Sequence, residues 1–317
     1  MLVDLPNWVG DQMMAMPALN RLVEGNRDGG TVLHTRPSML RFLSAVFPQT
    51  RVIASPRKTS PFFSAREVND GGRRHEIGIT LRNSARGKIL IRLRSRWCIG
   101  SRGEGALLLL STSCRVDRSR HQVHDADSIL AALGLDPADP SWRPDLPAGI
   151  KEDGAAALRV AGVEGKRSIG LAPSTARGDA KRWPARRFGE LAARLRARGL
   201  EPLIVIGPGE EAVADELCRA AKLELPVVGR DSDIAGLAAI TMRLGVLVGN
   251  DSGPVQIASR LGIPVVAIFG PTDPGRTAPI FARHRVVSTA PGRDSGMRGI
   301  TVDEVETAIT DLFQECQ

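Results

Sequence analysis

The chain has 317 residues, 42% hydrophobic and 25% charged, which is too long for one ordinary core and fits two domains of roughly 150 residues each. Its composition is that of a folded globular protein rather than a disordered one, and its four scattered cysteines (Cys98, Cys114, Cys218, Cys316), without a CxxC pair or a nearby histidine cluster, do not read as a zinc site. A formal charge of +8 predicts an anionic partner, and the absence of tyrosine leaves the core to Leu, Ile, Val and Ala.

In chain order, the first half predicts strands at Leu2–Leu5, Thr31–His34, Arg51–Ala54, Ile77–Leu81 and Ala106–Leu110, with helices between them. Its arginine-rich stretch, Arg82, Arg86, Lys88, Arg92, Arg94, Arg96 and Arg102, reads equally as a surface for that anionic partner or as a solvated helix face. No signal peptide is visible, and apolar runs such as Ala106–Leu110 are far below membrane-spanning length, so a reduced, cytoplasmic setting is expected. The segment GLDPADPSWRPDLPAG, with Pro137, Pro140, Pro144 and Pro147, reads as a linker over about 134–150 between domains at 1–150 and 151–317. The second half predicts strands at 168–172, 202–206, 225–228, 244–248 and 264–269, and helices starting at Ala185, Glu210, Ile234 and Ser252. Continuous Val/Ile/Leu strands are those covered on both faces, so the expected fold class is α/β: two Rossmann-like domains facing across a cleft. Ligands of such sheets sit beyond the carboxyl ends of the strands.

Three loops at those ends carry candidate chemistry. Pro6-Asn7-Trp8-Val9-Gly10-Asp11 follows the opening strand and leads into a helix, where Asp11 is placed either as a general base or as a helix cap or first-turn acid. The loop from Ala172 to Pro184 offers Ser174, Thr175, Gly178, Lys181 and Arg182 as a phosphate cradle. Gly249-Asn250-Asp251-Ser252-Gly253-Pro254-Val255-Gln256 runs into a helix whose free amides suit phosphate, although Asp251 and Ser252 are also ordinary capping residues. There is no Walker A sequence, and Gly207-Pro208-Gly209 lacks the third glycine of a dinucleotide fingerprint. Asp125-Ala126-Asp127 is expected in a helix and solvated, so no metal site is expected.

Together and in this order, PNWVGD at 6–11, LRNSARGKILIRL at 81–93, AKRWPARRFGELAARL at 180–195 and GNDSGPVQIASRLGIPVVAIFGPTDP at 249–274 resemble the ADP-heptose:lipopolysaccharide heptosyltransferases, the inverting family 9 glycosyltransferases, nearest their heptosyltransferase II members. The resemblance implies a GT-B fold, with an acceptor domain first and a nucleotide-sugar domain second. It implies Asp11 as base and Lys181 as the catalytic phosphate contact. Donor binding would fall to Ser174, Thr175, Lys181, Asp251, Ser252, Gly253 and Gln256, with Glu210 or Glu211 on the ribose. Acceptor binding would fall to Asn7, Trp8, Asn83 and Arg86. The implied partners are ADP-heptose as donor substrate with no further cofactor, a lipid-linked anionic saccharide, and the inner face of the inner membrane, where a peripheral protein is expected; no nucleic acid is expected.

Three departures stand out. Gln256 occupies a position where the family usually carries histidine, and it cannot carry charge. The short opening strand contains Asp4 where the family is apolar, which predicts a truncated start or a frayed edge. Ser55–Arg74 is short and polar, which predicts a different acceptor pocket. The competing readings are another GT-B enzyme, acting on a different sugar nucleotide or as a 2-epimerase, and a basic module for nucleic acid or anionic membrane, which lacks aromatic stacking platforms.

Overall fold

Apolar strands alternating with helices fold here into two parallel six-stranded sheets, each in its own compact unit, Met1–Trp142 and Arg143–Gln317. The computed structural model describes all residues except 57–58, 69–70, 164–167, 176–177, 179–180, 290–295 and 315–317. The boundary divides the proline-rich segment chemically. Trp142 stacks on Phe47 of the first unit, with centroids 6.0 Å apart, while Arg143 donates to the Phe281 carbonyl of the second at 2.9 Å.

The first unit contains β1 (Leu2–Asp4), α1 (Val9–Glu24), β2 (Val32–Thr35), α2 (Leu40–Val46), β3 (Arg51–Ala54), α3 (Pro61–Glu67), β4 (His75–Thr80), α4 (Ala85–Arg94), β5 (Ser95–Ser101), α5 (Ala106–Leu109), β6 (Thr112–Cys114) and α6 (Asp127–Ala132). The strand order is β3-β2-β1-β4-β5-β6. The chain therefore winds outward one way from β1 and the other way from β4, and the switch point of the sheet lies between those two strands.

Four expectations are corrected in this unit. The opening strand is not a frayed edge: β1 is central, and Asp4 is wholly buried, where His34, Thr80 and Arg82 receive its carboxylate. Ala106–Leu110 is not a strand. Gly105, at φ 69°, opens a single helical turn instead, and Leu107 and Leu108 stand 97% and 87% exposed. The sheet positions go to β5 and β6, whose mixed sequences hide buried Cys98, Ile99 and Cys114. The basic stretch is not uniformly solvated, because Arg82 and Lys88 are buried. Finally, Asp125 and Ala126 precede α6 rather than lying in it. Asp127 opens that helix and pairs with His124 at 3.0 Å and Arg120 at 3.2 Å.

The second unit contains α7 (Ala148–Val160), β7 (Ser168–Ala172), α8 (Ala185–Ala197), β8 (Glu201–Val205), α9 (Glu211–Ala221), β9 (Val227–Val228), α10 (Ile234–Thr241), β10 (Val246–Asn250), α11 (Gly253–Arg260), β11 (Val265–Phe269), α12 (Pro274–Thr277), β12 (His284–Ser288) and α13 (Val302–Gln314). The order β12-β11-β10-β7-β8-β9 puts its switch point between β7 and β10. The half-exposed edge strand β12, with the polar sequence HRVVS, was not foreseen. The helix α7 lies hard against α10 because Gly154 has no side chain; a Cβ there would stand 2.3 Å from the Ala239 carbonyl carbon. One face of the sheet meets α8, α9 and α13 in a core built from Ile169, Leu171, Phe188, Leu191, Val248 and Leu312. Among the described residues, no helix is long and apolar enough to cross a membrane.

Candidate active site

In each unit the sequence-predicted residues lie at the loops that flank the switch point, except Glu210 and Glu211, which follow β8. In the second unit the loops after β7 and β10 are tied together by Asn250, whose buried side chain accepts from the Trp183 amide at 2.9 Å and donates to the Pro173 carbonyl at 2.7 Å. One amide group thus clamps both shoulders of the Pro173–Pro184 loop. Trp183 is itself anchored, with its indole N–H on the Ile300 carbonyl at 3.0 Å and its ring edge-on to Phe188. Neither Asn250 nor Trp183 figures among the expected site residues, because the bonds that give them a role cross 67 to 117 positions of sequence.

Held this way, the loop brings Lys181 to Asp251. Lys181 Nζ donates to Asp251 Oδ2 at 2.7 Å, and Thr272 Oγ1 donates to the same oxygen at 2.9 Å. The two charged side chains are only 13% and 12% exposed, so their attraction is screened far less than that of a surface pair. Ser252 is the N-cap residue of α11, in extended conformation, and its hydroxyl makes no capping bond. With Pro254 in the first turn supplying no N–H, the amides of Gly253 and Val255 are left without intrahelical acceptors. Around them, the buried Ser174 and Ser252 hydroxyls and Gln256 Oε1 also have no partner among the described residues. Gln256 is buried and spends its amide on the Thr277 carbonyl at 2.7 Å. Thr175 follows Ser174 in the same loop; Ala176, Arg177, Asp179 and Ala180 lie outside the described residues.

The two acids of the next loop differ. Glu210 turns back on its own turn and accepts from the Gly207 amide at 2.8 Å, whereas Glu211 reaches the Gly209 amide only at 3.3 Å. Both are first-turn or capping acids of α9, beyond the carboxyl end of β8.

In the first unit, Asp11 lies inside the first turn of α1 and Trp8 takes the N-cap position. Asp11 Oδ1 accepts from Gln122 Nε2 at 3.2 Å. Asn7 accepts from Arg36, which also donates to the Ser55 and Pro56 carbonyls at 3.0 and 2.7 Å and so fastens the first loop to the end of β3. Asn83, after β4, accepts from Ser101 Oγ at 3.1 Å, and Arg86 is exposed on the first turn of α4. Asn7, Trp8 and Asp11 therefore stand on one side of the switch point, with Asn83 and Arg86 on the other. Among the described residues, no group of three or more His, Cys, Asp or Glu is arranged to hold a metal ion.

A family model, "Glycosyltransferase family 9 (heptosyltransferase)", matches residues 71–297. The chain belongs to glycosyltransferase family 9. It is similar to the lipopolysaccharide heptosyltransferase 2 of Salmonella typhimurium, 24% identical over 98% of this chain and 94% of that one. Among solved structures, the E. coli ADP-heptose heptosyltransferase II superposes with a TM-score of 0.82 at 23% identity, covering 100% of this chain and 99% of that one. A family 9 glycosyltransferase from Veillonella parvula superposes with a TM-score of 0.85 at 22% identity, covering 99% and 97%. The likeness confirms the GT-B fold, and membership of the family makes the chain a glycosyltransferase.

Proposed function

We propose that the chain transfers heptose from ADP-heptose to the inner core of lipopolysaccharide, inverting the anomeric centre. The observation that carries this reading is the convergence of Lys181, the first-turn amides of α11 and the Ser174 and Ser252 hydroxyls, without partners among the described residues, at one switch point. A diphosphate offers acceptors only, so it matches that set of donors. Asp251, also acceptor-only, would meet the diphosphate through Lys181 rather than directly, holding the ammonium until phosphate oxygens share it. Gln256 and Thr277 would add neutral polar contacts, and Glu211, the less committed of the two acids, would take the ribose.

In the proposed reaction Asp11 removes the proton of the acceptor hydroxyl as that oxygen attacks the anomeric carbon. The diphosphate departs on the opposite side, with Lys181 and the Gly253 and Val255 amides stabilising its growing charge. Asn7, Trp8, Asn83 and Arg86 would position the anionic saccharide, Arg86 by charge. The test is a thermal-shift panel of ADP, UDP and GDP with their sugars, because a ligand bound only by the folded state raises its midpoint. ADP-heptose should give the largest shift, and ADP should be released only when a core acceptor is present. A preference for UDP or GDP, or nucleotide release without acceptor, would refute the assignment.

The acceptor is lipid-linked, and we place the protein peripherally on the inner face of the inner membrane. The exposed Leu107 and Leu108 and the excess of arginine support that placement. Co-sedimentation with anionic vesicles at low salt, reversed by high salt, is the expected result; no sedimentation at low salt counts against it.

A further inference from the structure

Beneath the first loop runs a chain of buried polar groups with no part in the mechanism above. The register of β1 with β2 and β4 aligns Asp4 with His34 and Thr80 at the carboxyl ends of three adjacent strands. Asp4 Oδ1 faces His34 Nδ1 at 2.7 Å and Arg82 Nη2 at 3.0 Å, and Oδ2 accepts from Thr80 Oγ1 at 3.0 Å. On the far side of the ring, His34 Nε2 meets Ser55 Oγ at 2.9 Å, and that hydroxyl donates to Glu67.

Asp4, His34 and Ser55 follow one another as the members of a hydrolase triad do, but the comparison ends there. Ser55 is fully buried, and its only proton is committed to Glu67. The His34 ring thus stands between the Asp4 carboxylate and the Ser55 hydroxyl, and Arg82 supplies the positive charge beside Asp4 at 3.0 Å.

Through Arg82 this chain joins a set of side chains that tie down the first loop. Arg82 Nε donates to the Leu5 carbonyl at 2.5 Å, Gln12 donates to the Pro6 carbonyl at 2.8 Å while accepting from Thr35 at 3.0 Å, and Arg36 grips Asn7. Three consecutive residues of the first loop are thus held by side chains from α1, from just after β2 and from just after β4. From α4, Gly87 makes room for the arrangement; a Cβ there would stand 2.5 Å from Thr80 Oγ1 and 2.6 Å from Asp4 Oδ2.

We propose that Asp4 is a positioning residue for the transfer reaction: by gathering His34, Thr80 and Arg82 under the first loop, it fixes where Asp11 stands. The proposal rests on Asp11 as the base. A neutral Asn at position 4 leaves Arg82 without its counter-charge in a buried site, takes a partner from His34 and frees the grip on Leu5. Displacement of a reacting group by about 1 Å costs on the order of 100-fold in rate.

The test is a double-mutant cycle on turnover with saturating donor. Asp4→Asn should lower kcat by about 10- to 100-fold with donor KM unchanged within about twofold. In the Asp11→Asn background it should lower kcat by less than about twofold, because the group it positions is already gone. A general loss of folded enzyme would instead multiply through both backgrounds. Should Asp4→Asn not fold, the apolar pair Asp4→Leu with Arg82→Leu removes both charges together and should fold while staying slow. Wild-type turnover in either folded variant, or equal losses in both backgrounds, overturns the proposal. Full activity of Asp11→Asn alone sinks the base assignment and the positioning role with it. An inactive Asp11→Asn beside a fully active Asp4→Asn sinks the positioning role only.

Discussion

In the second unit the strands beside the switch point, SIGLA and VLVGN, stay apolar or small until Asn250, whereas the corresponding strands of the first unit carry Asp4 and Thr80 inside the sheet, with His34 on the adjoining β2. Both units place their functional residues in the loops that follow. They secure those loops differently. The second unit uses one neutral amide, Asn250, spanning a loop from above; the first uses charged side chains beneath it, each with a partner on another strand. A phosphate cradle needs donors in roughly the right place. A base must meet one hydroxyl at hydrogen-bond distance, and a rigid ionic support under its loop serves that narrower tolerance.

The sharpest way to break this comparison is to remove one group from each unit and compare what is lost. Asp11→Asn keeps size and helix position and deletes the proton acceptor, so kcat should fall by on the order of 10²- to 10⁴-fold while donor affinity and unfolding midpoint hold. Lys181→Ala should weaken donor binding by about 10- to 100-fold, as loss of one charge-assisted contact does, and lower turnover as well. It also strips Asp251 of its counter-ion, so some loss of stability in the ligand-free protein should accompany it. Steady-state kinetics and donor titrations of both variants decide the matter. If Asp11→Asn turns over normally, the first-turn acid only complements the dipole of α1; if Lys181→Ala binds donor normally, the ion pair is structural.

Much of this was legible in the sequence, and what escaped has a physical pattern. The loops after β1, β7 and β10 announce themselves because a buried apolar run ends abruptly in Gly, Asn, Asp and Ser before a helix. Their supports do not. The partners of Asn250 lie 67 and 77 positions away, and Thr80 reaches Asp4 across 76. Read locally, Asp4 spoils an opening strand; read with its row of neighbours, it is the centre of a sheet. The run at Ala106–Leu110 misleads for the opposite reason, since four leucines in succession have no period to separate strand from helix. The left-handed Gly105 and the full exposure of Leu107 and Leu108 decide it only in three dimensions.

The smallest expected effect concerns Lys88, another buried cation of the first unit, and contrasts with the Asp4–Arg82 pair. Its ammonium donates to the Glu104 carbonyl at 2.9 Å, and the side chain is wholly buried on α4. Burial lowers its pKa from the ordinary lysine value, with the Glu104 charge opposing the shift. The unfolded chain therefore binds the Lys88 proton more tightly than the folded one over the interval between the two pKa values. Stability rises with pH across that interval and levels off above the ordinary lysine value. Lys88→Met removes this dependence, so the variant's advantage over the natural chain should shrink, or its deficit widen, as pH is raised towards the ordinary lysine value. Denaturant midpoints at several pH values, wild type and variant side by side, measure it. Parallel curves would show that the Lys88 ammonium is as well served inside α4 as in water, and that a buried cation in this unit needs no carboxylate of the kind Asp4 gives Arg82.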